Sequence, residues 1–163
     1  MRIVILVVSF ILESVISNFF PVNSFFVSLF SLTAIVAIYP LFEDEKRKYF
    51  LAAFLLGLAY DLIYTDTIIF EAFLFLFIAY LVTVLRTVLS DNFLNSIVIL
   101  LVCIVAYRTI NYFSLIITGN LDFNLHNYLA SIYKSIILNV IYCLALNPIV
   151  NFIKRRKKKS YLF

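Results

Sequence analysis

A chain of 163 residues that is 64% hydrophobic and only 13% charged cannot clothe a soluble domain, for which about 45–50% apolar and about 25% charged residues are usual. Its mean hydropathy of +1.07, with 18 Phe and 11 Tyr, fits lipid as the solvent, Tyr favouring the interfaces. Much of the net charge of +4 comes from one C-terminal run with no soluble reader beside it, which excludes nucleic acid as a partner.

A spanning helix needs about 20 mainly apolar residues. Polar punctuation divides the chain into six such stretches, predicted over roughly 3–20, 24–42, 48–64, 67–85, 95–118 and 128–152. The expected fold is an all-α integral membrane protein, a six-transmembrane-helix bundle. The first stretch follows Arg2 but is too long for a signal h-region, contains Glu13 and lacks a small-x-small cleavage site, so it reads as a retained helix ending at Pro21 and Asn23. The cluster Glu43, Asp44, Glu45, Lys46, Arg47 and Lys48 separates the second stretch from the third. Only Thr65, Asp66 and Thr67 stand between the third and fourth, which implies a tight hairpin. Residues 86–92 and 119–127 supply the next two connections. After a membrane domain over 1–153 comes a basic tail, 154–163, in which Lys154, Arg155, Arg156, Lys157, Lys158 and Lys159 read as contacts to anionic lipid.

Orientation follows from where Lys and Arg fall. The connections 21–23, 65–67 and 119–127 hold none, whereas Arg2, Lys46, Arg47, Lys48, Arg86 and the tail all belong to the opposite side. Both termini are therefore expected in the cytoplasm, with the cytoplasmic membrane crossed several times between them. Two basic residues remain, Arg108 and Lys134, and both fall inside predicted helices.

With that orientation, Glu13, Asp61, Glu71, Arg108 and Lys134 form an intramembrane charge cluster in the outer half or the centre. A charge at the bilayer centre costs at least about 2.5–3.5 kcal/mol, so these groups are expected to face inward and pair. Helical spacing agrees: Ser9, Glu13 and Ser17 recur at every fourth residue, as do Ala53, Gly57 and Asp61. Tyr60 and Tyr64 lie beside the latter. Ser131, Lys134, Ser135, Asn139 and Tyr142 share a stripe of the sixth helix, and Arg108, Asn111 and Tyr112 one of the fifth. A ligand or ion path is the functional alternative to structural ion pairs; structural pairing is preferred because the inner half shows no polar line.

Several sites are not expected. Cys103 and Cys143 sit in apolar runs and read as small buried hydrophobes, and the lone His126 has no cysteine pair near it, so no metal is expected. Two glycines cannot build a phosphate-cradling loop, and no serine lies with a base in a nucleophile arrangement, so neither a cofactor nor an enzyme is expected.

The stretch Phe54-Leu55-Leu56-Gly57-Leu58-Ala59-Tyr60-Asp61-Leu62-Ile63-Tyr64-Thr65, followed by an aromatic-rich helix reaching Tyr80-Leu81, resembles the bacterial rod shape-determining protein MreD family in its low-GC Gram-positive type. Glu13-Ser14, Leu138-Asn139, Pro148 and the basic tail fit the same resemblance. One departure is the segment Asp66-Thr67-Ile68-Ile69, which has no glycine where the family usually has a Gly-containing turn. The resemblance implies a bundle similar to the substrate-binding subunit of energy-coupling-factor transporters, with an outward cavity. It also implies a non-enzymatic scaffold or regulator of cell shape and peptidoglycan synthesis that binds MreC. Further implied partners are a penicillin-binding transpeptidase with its glycosyltransferase partner and, where present, MreB. Gly57, Tyr60, Asp61, Tyr64 and Asn139 are then the family-like motif and partner groove. The alternative is a substrate-binding subunit of a vitamin-type transporter, although the first helix lacks an Ala-x-x-x-Ala pattern for a coupling partner. A channel or proton relay on Glu13, Asp61 and Glu71 is a weaker option still.

Overall fold

The computed structural model describes residues 1–19, 26–65, 69–89 and 92–160, with side chains throughout except at 93 and 157–160. The described residues form six α-helices and no strand: α1 Arg2–Phe19, α2 Phe30–Ile38, α3 Lys46–Tyr64, α4 Phe70–Val88, α5 Phe93–Ile117 and α6 Leu125–Ser160, with a 3-10 turn at Tyr39–Leu41 after α2. Four of them, α1, α4, α5 and α6, are long and apolar enough to cross a membrane. α3 has 19 residues, but its first turn is Lys46, Arg47 and Lys48 and it contains Asp61. The residues expected to end the first helix, Pro21 and Asn23, and the turn residues 66–68 lie outside the described ones.

The second element corrects the sequence reading. A spanning helix over 24–42 was expected, yet α2 begins at Phe30 and has nine residues, about 14 Å. Its apolar character runs all the way round, the mark of a helix surrounded by protein. Every residue from Phe30 to Ile38 is buried, and α2 packs on α1, α4, α5 and α6. Pro40 then denies Val36 its usual amide partner and tightens the chain into the 3-10 turn. Tyr49 of α3, 1% exposed, donates its hydroxyl to the Ile35 carbonyl at 3.1 Å.

Around this central helix the longer helices turn their apolar sides outward. In α1 only Leu6, Ser9 and Glu13 are buried, one stripe against the core, while Ile3, Val4, Val7, Val8 and Ile11 are exposed, as lipid-facing residues would be. α3 buries Tyr49, Ala53, Leu56, Gly57 and Asp61. α6 extends to Ser160, well past the expected end at 152, so the basic run begins as a helical extension with Pro148 inside it. Both glycines have geometric tasks. Gly119, at φ +73, ends α5 in a Schellman motif, with Gly119 N–H bonded to the Ile116 carbonyl and Asn120 N–H to that of Leu115. Gly57 is the point where α3 and α4 meet.

Charge separates the two ends of the bundle. Arg2, Glu43, Glu45, Lys48 and Lys154 meet at one end, here the basic end, through Arg2–Glu45 at 3.0 Å, Lys48–Glu45 at 2.6 Å and Lys154–Glu43 at 2.9 Å. Arg2 also lies over the Phe42 ring at 4.6 Å. Glu13, Asp61, Glu71 and Arg108 lie in the half away from that end.

Candidate functional site

Two helices, α2 and α4, begin inside this far half, and their first amides need acceptors that lipid cannot supply. For α4 the acceptor comes from α3. Asp61 Oδ1 takes the Glu71 N–H at 3.0 Å and Oδ2 takes the Ala72 N–H at 2.9 Å, with the Thr65 hydroxyl also on Oδ1 at 3.3 Å. These amides are the second and third of the helix, the pair an N-cap side chain ordinarily serves. The local N-cap residue is Ile69, which has no capping oxygen, so a carboxylate from the previous helix does the work and also faces the positive end of the α4 dipole. Ile69 itself has φ 70, the left-handed conformation that glycine adopts freely and that costs a β-branched residue about 1–2 kcal/mol. Ile69, in a segment that has no glycine, thus takes a glycine-type backbone conformation.

Gly57 makes the cap reachable. A Cβ there would stand 2.6 Å from both the Ala72 Cα and the Glu71 carbonyl oxygen, so any side chain would push the start of α4 away from α3. One turn later on the same face, Asp61 meets the amides that this approach delivers. The Gly-x-x-x-Asp spacing is therefore a contact followed by a cap.

The start of α2 is held the same way, by residues from two other helices. Glu13 of α1 accepts the Ser31 N–H at 2.8 Å through Oε2 and the Tyr60 hydroxyl at 3.2 Å through Oε1. Asn139 of α6, fully buried, accepts the Leu29 N–H at 2.8 Å and the Thr33 hydroxyl at 3.3 Å, and donates to the Val27 carbonyl at 3.0 Å. Val27 N–H in turn bonds the Lys134 carbonyl at 3.0 Å. The non-helical lead-in 26–29 is thereby fastened along α6, and its backbone polar groups find partners where no water is to be had.

Direct ion pairs, expected from the sequence, are replaced by these caps. Among the described residues, Glu13, Glu71, Arg108 and Lys134 make no side-chain ion pair within 4 Å. Arg108 donates Nε to Ser135 Oγ at 2.8 Å, while its Nη2 and Glu71 Oε2 are buried without a hydrogen-bond partner among the described residues. Lys134 joins through its backbone. Ser9, the inward partner of Glu13 in the expected stripe, shares a hydrogen bond of 2.7 Å with the Tyr142 hydroxyl, and Ser17 meets Ser28 at 3.0 Å. Tyr64 meets Ser14 and the Phe10 carbonyl, closing α3 onto α1 at this level. Tyr112 reaches the α5–α6 connection, bonding the backbone of Asn124 in both directions.

Tyr49 and Tyr107 were not singled out from the sequence, yet both are buried. A tyrosine in an apolar run must find a hydroxyl partner, and Tyr49 does so on α2. Tyr107 lies with Asn111 beside the Glu71 carboxyl. No three His, Cys, Asp or Glu among the described residues are grouped to hold a metal ion, and Cys103 and Cys143 are buried apart as free thiols. At the basic end, Lys48 and then Arg2 hold the Glu45 carboxyl down at about 2. Of the basic run, Lys154 pairs with Glu43 and Arg156 lies over the Phe152 ring at 4.6 Å; the side chains of 157–159 lie outside the described residues.

A family model described as MreD, rod shape-determining protein MreD, matches residues 1–156. No curated protein and no solved structure matches the chain.

Proposed function

The chain belongs to the MreD family of rod shape-determining proteins, and from that membership we propose that it serves as a membrane scaffold or regulator that binds MreC and links it to peptidoglycan synthesis. The family is one of shape-determining proteins rather than of known enzymes. The observation that carries the reading is how the motif is used: Gly57 and Asp61 build one rigid α3–α4 unit, and Glu13 and Asn139 fix the start of α2. Carboxylates engaged by the protein's own amides define a shape for a partner to recognise. In this reading Tyr60 and Tyr64 border the partner groove and the transpeptidase and its glycosyltransferase are reached through MreC, with MreB on the cytoplasmic side where it is present.

The same reading places the basic end in the cytoplasm, with both termini there, residues 1–153 in the membrane and 154–163 as a tail along anionic lipid. The plan is then similar to that of the substrate-binding subunit of energy-coupling-factor transporters. The test is co-purification from native membranes expressing both proteins. MreC is expected to remain with the wild-type chain and to be lost from Asp61→Ala; loss of MreC from the correctly folded wild type would overturn the reading. A transporter subunit is the second reading, favoured by Glu71 Oε2 and Arg108 Nη2, which are buried without a hydrogen-bond partner among the described residues. Thermal stabilisation by a vitamin or a lipid-linked wall precursor would select it.

A further inference from the structure

A cavity of about 910 Å³ lies away from the capped helix starts, between α1 and α3. Its walls are apolar, with Leu6, Val7 and Phe10 on one side and Leu51, Leu55 and Ala59 on the other. Leu51 and Leu55 are 57% and 53% exposed, and Ala52 and Ala59 leave room between the helices. Contacts join the two helices at both ends of this space. Toward the far half, Phe10 lies edge-on to Tyr64 at 5.2 Å and to Tyr60 at 6.3 Å, and Ser14 bonds Tyr64. At the basic end, Arg2, Glu45 and Lys48 form the rim.

From the rim at Lys48 to Ala59 the groove follows α3 for about 16 Å at 1.5 Å per residue. That is about half of a hydrocarbon core of about 30 Å, the depth of one leaflet. A spanning helix of a partner needs the full thickness and a width of about 10 Å, and the aromatic closure stops it halfway. An acyl chain entering from the basic end fits the depth and the apolar walls.

The rim then selects the headgroup. Arg2 and Lys48 share the single carboxylate of Glu45, and Lys46 and Arg47 stand in the same first turn of α3. The first turn of α3 holds no acidic residue, and its N-cap, Glu45, makes no side-chain cap hydrogen bond, so the positive end of the helix adds to the cations around the one carboxylate that Arg2 and Lys48 share. We propose that the α1–α3 groove is a binding site for one anionic glycerophospholipid, its acyl chain between Leu6 and Leu55 and its phosphate at Arg2 and Lys48. The walls and rim of the site contain neither Gly57, Asp61 nor Asn139 and no residue of the C-terminal tail, and only its far end is closed by Tyr60 and Tyr64 of the motif, so lipid binding here is tested separately from the MreC reading.

The test is native mass spectrometry of the full-length chain, released from detergent after titration with phosphatidylglycerol or phosphatidylcholine. One phosphatidylglycerol per chain is expected to survive release, preferred over phosphatidylcholine by about tenfold. Ala52→Phe fills the groove without changing any charge and is expected to remove that adduct. Lys48→Gln, outside the apolar wall, is expected to lose the headgroup preference while keeping the fold, which covers the case of Ala52→Phe failing to fold. An adduct unchanged in folded Ala52→Phe, or equal retention of the two lipids by the wild type, would overturn the proposal. So would a photo-crosslinker at Leu55 that captures a second copy or another protein's helix in native membranes in place of lipid.

Discussion

At the basic end, Glu45 sits between Arg2 and Lys48 with 30% of its side chain exposed; in the far half, Asp61 is 4% exposed and takes its bonds from backbone amides. Both are carboxylates with good partners, yet they do different jobs. Around Glu45 water and counter-ions can replace any partner, so the contact chooses among conformations that cost nearly the same. Around Asp61 nothing else can replace it, because the alternative is two amides facing hydrocarbon. The difference shows why a membrane protein can place its ion pairs where they matter little and its single carboxylates where they matter greatly.

The strongest way to break that comparison is Asp61→Ala. Each buried amide left without an acceptor costs about 1–3 kcal/mol, so the variant is expected to lose about 3 kcal/mol. Asp61→Asn keeps one acceptor oxygen but no charge, and about half the loss is expected. Thermal unfolding in detergent, followed by helical circular dichroism, measures both. If Asp61→Ala unfolds with the wild type, the carboxylate is not holding α4.

Gly57→Ala comes next. In an ordinary helix this change is favourable by about 0.5–1 kcal/mol. Here the added Cβ would meet Ala72 Cα and the Glu71 carbonyl at 2.6 Å, and backbone cannot swing aside as a side chain tip can. The expected result is a loss of about 1–3 kcal/mol, by the same unfolding measurement. In the Asp61→Ala background the added cost is expected to shrink, because α4 is already released there and the close approach no longer serves a cap.

Much of this was legible in the sequence, and the part that was not has a physical cause. Spacing of four placed Ser9 with Glu13 and Ser17, and Ala53 with Gly57 and Asp61, on single faces; all of these are buried except Ser17, which is exposed near the end of α1. Periodicity shows which way a side chain points without showing what waits there. Asp61 meets amides ten and eleven residues on, across a turn, and Glu13 meets Ser31 from another helix. Opposite charges looked like the natural partners because helix ends carry no letter in a sequence. The break in the second apolar stretch was hidden for a related reason. A mainly apolar run from 24 to 42, its few serines and Thr33 scattered through it, has no local signal for an extended lead-in at 26–29; what holds that segment is Asn139, more than a hundred residues later.

The smallest effect is expected at the basic end, and it sharpens the comparison by its size and its pH dependence. Glu45 is held at about 2, below its ordinary 4.5, by Lys48 and Arg2. A carboxyl whose value is lowered on folding contributes fully above 4.5, and its contribution is lost as the pH falls from 4.5 toward 2. Glu45→Gln should therefore differ from the wild type only slightly at pH 7, and the difference should fade across that acid window. Raising the salt concentration at pH 7 should also shrink it, because exposed charges are screened, whereas salt should leave the Asp61→Ala loss unchanged. A Glu45→Gln loss as large as that of Asp61→Ala, and insensitive to salt, would mean that the rim is as dry as the far half. The division between the two ends would then fail.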